Sequence, residues 1–132
     1  MRKLSMVLLS ALMLLSMAAT ALAMDISPYA DSYFDSLTIN LNSKKKVGYR
    51  AVAKEIHGEI KVTSCTLQKK SGTKWTNEGS LDAPTVVAKN TRVYDAAMDY
   101  SDDIGSGTYR ISATFYADGY TVTRTSNERT YE

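Results

Sequence analysis

Three groups of residues in this chain have the right chemistry for a site. His57 is the single histidine and Cys65 the single cysteine. Any Ser-His-Asp or Cys-His arrangement would have to draw on His57. It stands beside Gly58, eight positions before Cys65, and reads as a solvated histidine in a surface turn. A lone cysteine forms no intramolecular disulfide. Cys65 lies in an alternating run with Leu67 and reads as a small buried apolar residue. The competing reading is an intermolecular disulfide or a reactive thiol, and no cationic cluster adjoins Cys65 to activate it.

The second group is acidic. Asp99, Asp102 and Asp103 are dense enough to suggest calcium, which takes carboxylate and carbonyl oxygens. Their spacing is not that of an EF-hand loop, and an Asp/Ser-rich turn between strands explains them without a metal. One histidine and one cysteine argue against a zinc site. No cofactor is expected.

The third group consists of residues that bind rather than react. All nine tyrosines follow residue 23. Tyr49, Tyr94, Tyr100 and Tyr109 have the parity of core positions. Tyr116 has outward parity, beside Arg110 and Thr114. Exposed tyrosines serve binding surfaces because they bring contact area at low entropic cost. Lys44, Lys45 and Lys46 form a basic run that would suit an anionic surface, although a solvated turn is the more frequent reason for three charges between two strands. The candidate binding residues are therefore Tyr116, Lys44, Lys45 and Lys46.

These residues need a frame to position them. The longest clean alternation is Tyr109, Ile111, Ala113, Phe115 and Ala117 against Arg110, Ser112, Thr114 and Tyr116. A period of two marks a strand with one buried face. The turn Gly105-Ser-Gly107 precedes it, and a tyrosine bonding back to upstream backbone at such a corner is a feature of immunoglobulin-like sandwiches. Further strands read at Leu37–Leu41, Val47–Lys54, Ile60–Lys70, Trp75–Leu81, Thr85–Ala88, Val93–Tyr100 and Tyr120–Thr125. An amphipathic helix competes for Tyr49–Ile56, but Gly48, Val47 and Val52 fit a strand better. His57-Gly58 ends one strand, and Lys89-Asn90 turns the chain between two others. Asp118-Gly119 is a hairpin signal. Tyr120–Thr125 reads as an edge strand with Val122 as its anchor, guarded by Arg124 and Arg129. The expected fold is all-β: an immunoglobulin-like (fibronectin-type-III-like) sandwich of seven or eight short antiparallel strands.

The chain opens with Arg2 and Lys3, an apolar run over residues 4–19, and Ala21-Leu-Ala23. This is the pattern of a cleaved secretory signal peptide, and the run is short for a membrane span. The expected organisation is a signal peptide at 1–23, an N-terminal arm at 24–34 and the sandwich at 35–132. Arg2 and Lys3 account for the formal charge of +2, so the mature chain is about neutral. That gives no electrostatic case for nucleic acid, and no membrane is expected as partner after cleavage.

Ser27-Pro-Tyr-Ala-Asp-Ser-Tyr-Phe34 behind a leader, Lys70-Ser-Gly-Thr-Lys-Trp75, and the Thr108-Tyr109 strand with its hairpin resemble a group of small secreted proteins of Gram-positive bacteria. These look like single immunoglobulin-like or fibronectin-type-III-like domains. The resemblance covers most of the mature chain and implies export and a sandwich fold. It carries over no catalytic residue. The chain has Ile104 where fibronectin-like domains usually have leucine.

The resulting expectation is a secreted, non-enzymatic module that binds an extracellular protein or glycan. A small hydrolase with an unrecognised site and a self-associating surface protein are the alternatives.

Overall fold

The computed structural model describes residues 31–132. The expected signal peptide at 1–23 and most of the expected N-terminal arm lie outside the described residues. All regular structure among these residues is β: β1 Phe34–Leu41, β2 Lys46–Ser71, β3 Lys74–Leu81, β4 Val87–Asp99, β5 Gly107–Ala117, β6 Tyr120–Thr125 and β7 Arg129–Tyr131. They form one antiparallel sheet. Phe34, read from sequence as the last residue of the arm, opens β1 and is fully buried.

β2 organises the sheet. Its first half is flanked by β1 and β4, through Val47–Ala53 and Lys46–Val52. Its second half is flanked by β5 and β3, through Ile60–Lys69 and Cys65–Ser71. The strand bends between the halves, and the sheet curls into a half-barrel in which β1 packs against β5 and β6.

Two expected breaks are therefore corrected. His57-Gly58 does not end a strand, and Lys89-Asn90 does not turn the chain; β2 and β4 run through both. At the bend, residues 53–56 of β2 stand opposite Arg92 alone, between the pairs Val52↔Val93 and His57↔Thr91. Asn90 takes a positive φ of 50° nearby. The backbone groups at the bend find other partners. Arg92 Nε donates to the Ala53 carbonyl at 2.9 Å. The Lys54 N–H donates to the Tyr33 carbonyl at 2.9 Å. The Gly58 and Glu59 N–H groups donate to the Asp118 carboxylate at 2.9 and 3.1 Å. Sequence patterning sees the loss of alternation here but not these substitutes, so it reads a bend as an end.

The core lies inside the curl. Leu37, Ile39 and Leu41 of β1, Val47, Tyr49 and Ala51 of β2, and Tyr94 of β4 face Ile60, Val62, Cys65 and Leu67 of β2 and the inward residues of β5. A register shift between Val62 and Ser64 moves inward parity from even to odd positions, so Cys65 and Leu67 stay buried. Phe115, fully buried and tilted against Phe34 at 6.5 Å, is the largest inward side chain of β5 after Tyr109. Truncating such a residue to alanine costs about 3–5 kcal/mol. Gly107 has φ 128°, a backbone conformation that strains any L side chain, so the entry to β5 favours glycine.

Candidate functional site

One polar surface with organised side chains is the outer face of β3, β2, β5 and β6. The alternation of β5 places Arg110, Ser112, Thr114 and Tyr116 on this face, each half-buried. Register supplies their neighbours: Gln68 opposite Arg110, Thr66 opposite Ser112, Lys61 opposite Tyr116, and Thr123 opposite Thr114. Hydroxyl pairs tie adjacent strands, Thr114 to Thr123 at 2.9 Å and Thr108 to Thr130 at 2.8 Å. Strands about 4.8 Å apart thus present a broad sheet of hydroxyls and amides.

One end of the face is fixed by a chain of side-chain contacts. Trp75 enters β3 opposite Lys70, which aligns it diagonally with Gln68 and Arg110. The Arg110 guanidinium carbon lies over the Trp75 ring, 4.3 Å from its centroid, and Lys70 Nζ lies over the same ring at 5.7 Å. Arg110 Nε donates to Gln68 Oε1 at 2.7 Å, and Gln68 Nε2 donates to Asn77 Oδ1 at 3.0 Å. The guanidinium is thus held in plane by the indole and in rotation by Gln68. Partial burial lowers the Arg110 pKa from its ordinary value, while Glu128 acts in the opposite sense. Among the described residues no carboxylate pairs directly with Arg110; Glu128 pairs with Lys70 at 3.5 Å. The other end of the face holds Tyr116 beneath Lys61 Nζ at 4.9 Å, with Lys61 paired to Glu59 at 2.9 Å.

Tyr116 therefore lies on this face, outward and beside Lys61, about 20 Å from Arg110 along β5. Lys44, Lys45 and Lys46 do not join it. Lys44 and Lys45 occupy the β1–β2 turn and Lys46 opens β2; Asn42 organises the turn by accepting from the Lys44 and Lys46 N–H groups at 2.8 and 3.0 Å. Lys45 has φ 65° and places Nζ over Tyr131 at 5.3 Å. Tyr131 pairs with Gly107 at the start of β5, while Tyr116 is next to its end. The structure thus separates the two sets of candidates. Trp75, read from sequence as a strand start and part of a turn motif, is not among the binding candidates that sequence offers. Only cross-strand register brings it to Arg110, and residue spacing does not carry register.

Asp99, Asp102 and Asp103 sit at the exit of β4, as an Asp/Ser turn would place them. Asp99 Oδ1 accepts from the Ser101 N–H at 2.9 Å, which holds its carboxyl below the usual range. The Asp103 N–H donates to the Tyr100 carbonyl.

His57 departs from the expected solvated turn. Its side chain is 12% exposed, it stacks on Tyr33 at 5.4 Å, and Tyr33 stacks in turn on Tyr120 at 4.1 Å. His57 Nδ1 meets Asp118 Oδ2 at 3.1 Å. The Gly58 N–H, above all, then the His57 ring and the Glu59 N–H hold the Asp118 carboxyl below its ordinary range. Ser32, Tyr33, Lys54, Glu55 and His57 line a depression of about 300 Å³ beside this cluster. Every polar contact of Asp118 serves the β2 bend, so the cluster works as a clamp. Cys65 is buried, and its Sγ meets the Tyr49 hydroxyl at 3.2 Å.

No family model, no curated protein and no solved structure matches the chain.

Proposed function

We propose that the chain is an exported, non-catalytic module that binds a glycan through the outer face of β3, β2, β5 and β6. One observation carries this reading: a half-exposed face of hydroxyls and amides has Trp75 and Arg110 fixed at one end and Tyr116 at the other. Aromatic rings offer flat apolar area to sugar rings, and hydroxyl and amide groups match sugar hydroxyls. Export is supported by the leader-like residues 1–23. The fold is read as a variant of the immunoglobulin-like sandwich. In support, the two halves of bent β2 face each other across the core, and the Tyr109 hydroxyl donates back to the Ser106 carbonyl at 3.2 Å.

The test is a binding screen against cell-envelope and host glycans, run beside turnover assays on glycoside, ester and peptide substrates. The expected result is saturable binding without turnover, weakened about tenfold by Trp75→Ala, a loss of about 1.4 kcal/mol. Turnover abolished by a single acidic or serine substitution, in a variant that remains folded, would reject the binding module in favour of an enzyme.

A further inference from the structure

We infer that the Arg110 end of this face selects an acidic glycan, with uronate carboxylates seated on the Arg110 guanidinium. The inference rests on the glycan-binding reading above and adds the charge of the ligand and the residue that reads it. Its basis is the constraint on Arg110. Nε is already committed to Gln68, and one face of the guanidinium is against Trp75. What remains is the pair of terminal nitrogens, a planar fork that matches a carboxylate with two parallel hydrogen bonds. No carboxylate among the described residues occupies that fork. A free surface arginine gives up side-chain entropy when it grips an anion. Here Gln68 and Trp75 have already fixed it, so less is lost on binding.

Lys70 shares the Trp75 ring with Arg110 on this face, whereas Lys69, over the inward Tyr109, lies on the other face. Glu128, paired with Lys70, is the one carboxylate that acts on Arg110. With Lys70 offset by Glu128, Arg110 itself supplies the positive charge at this end and a carboxylate complements it, although the mature chain as a whole is about neutral. An acidic peptide would supply carboxylates too. The rest of the face favours a sugar, because register sets Thr66 beside Ser112 and Thr123 beside Thr114, offering hydroxyls in rows.

The experiment titrates the mature chain with four polymers: polygalacturonate, fully methyl-esterified polygalacturonate, dextran and poly-glutamate. Polygalacturonate should bind at least tenfold more tightly than its methyl ester, and its binding should weaken as salt rises. Arg110→Gln should erase that preference with the urea midpoint little changed, and Arg110→Lys should restore it only in part. If Arg110→Gln proves unfolded, Gln68→Ala frees Nε and should reduce the preference severalfold. Equal binding of the ester and the acid would overturn the acidic-ligand inference and leave the glycan reading standing. Poly-glutamate binding as tightly as polygalacturonate, or no binding of any polysaccharide, would overturn both.

Discussion

Asp118 and His57, sixty-one positions apart, meet at 3.1 Å where β2 bends. Asp118 sits in the β5–β6 hairpin with φ 45°, a conformation that the Asp-Gly turn tolerates. From there its carboxylate accepts from the His57 ring and from the Gly58 and Glu59 N–H groups. The hairpin tip is thereby stitched to the point where the long strand loses its ladder to β4. A bend in the middle of a strand leaves amides without partners, and here one side chain supplies the acceptor for two of them.

That contact makes stability depend on acid. The folded Asp118 carboxyl lies below its ordinary value of 3.8, so the unfolded chain takes up the proton first. Its contribution is whole above that ordinary value and is lost as the pH falls through the lowered folded one. Asp118→Asn should lower the thermal midpoint at neutral pH and flatten the fall in stability below pH 3.8. Thermal melts of both proteins across that range check this. Parallel pH curves for the two would show that the carboxylate is not the clamp.

The buried thiol should be inert. Burial raises the Cys65 pKa, against the smaller pull of the Tyr49 and Tyr100 hydroxyls. Its Sγ begins a chain that runs through the Tyr49 hydroxyl to the Tyr100 hydroxyl at 2.9 Å and on to the Asp82 carbonyl at 2.7 Å. A thiol reagent should label Cys65 only on unfolding, because the reactive thiolate is scarce and inaccessible. Tyr100→Phe should cost about 1–3 kcal/mol, since it strips a partner from a buried hydroxyl. Rapid stoichiometric labelling of the native protein would refute the first expectation, and an unchanged urea midpoint the second.

Alternation was enough to place the inward faces of β1, β2 and β5, because a strand with one buried side repeats every two residues. Leu37, Ile39, Leu41, Tyr49, Ile111 and Phe115 are buried as that pattern demands. Continuity across the bend was not legible. Gly58 and Asn90 look like breaks, and the groups that bridge them, Arg92 and Asp118, come from elsewhere in the chain. The candidate face was half legible. Parity put Tyr116 and Arg110 on one side, but Trp75 reaches Arg110 only through the pairing of β3, β2 and β5. Lys44, Lys45 and Lys46 looked equally available, and their turn lies at the other end of β5.

Tyr109 and Tyr116 offer an internal control, being on opposite faces of one strand. The Tyr109 hydroxyl donates to the Ser106 carbonyl, and the residue is 5% exposed. Tyr109→Phe should cost about 0.5–1.5 kcal/mol. Tyr116 is half-exposed, and Tyr116→Phe should cost less. Urea melts of the two variants decide it, and equal costs would mean that the corner hydrogen bond contributes nothing.

Asn127 closes the curl. Its side-chain amide acts as the missing strand beside Leu41: Oδ1 accepts from the Leu41 N–H at 2.8 Å and Nδ2 donates to the Leu41 carbonyl at 2.9 Å. Arg129 Nε also reaches that carbonyl, at 3.2 Å, so it keeps a partner if Asn127 is lost; the N–H has no such reserve. Leu41 is fully buried, and an orphaned buried amide costs about 1–3 kcal/mol. Asn127→Ala should destabilise the fold by about that much and speed hydrogen exchange at the Leu41 amide far more than at Ile39. Asn127→Asp keeps the acceptor and loses the donor, so Leu41 should stay protected while the carbonyl falls back on Arg129. An unchanged Leu41 exchange rate in Asn127→Ala would mean that the end of β1 is held by packing alone.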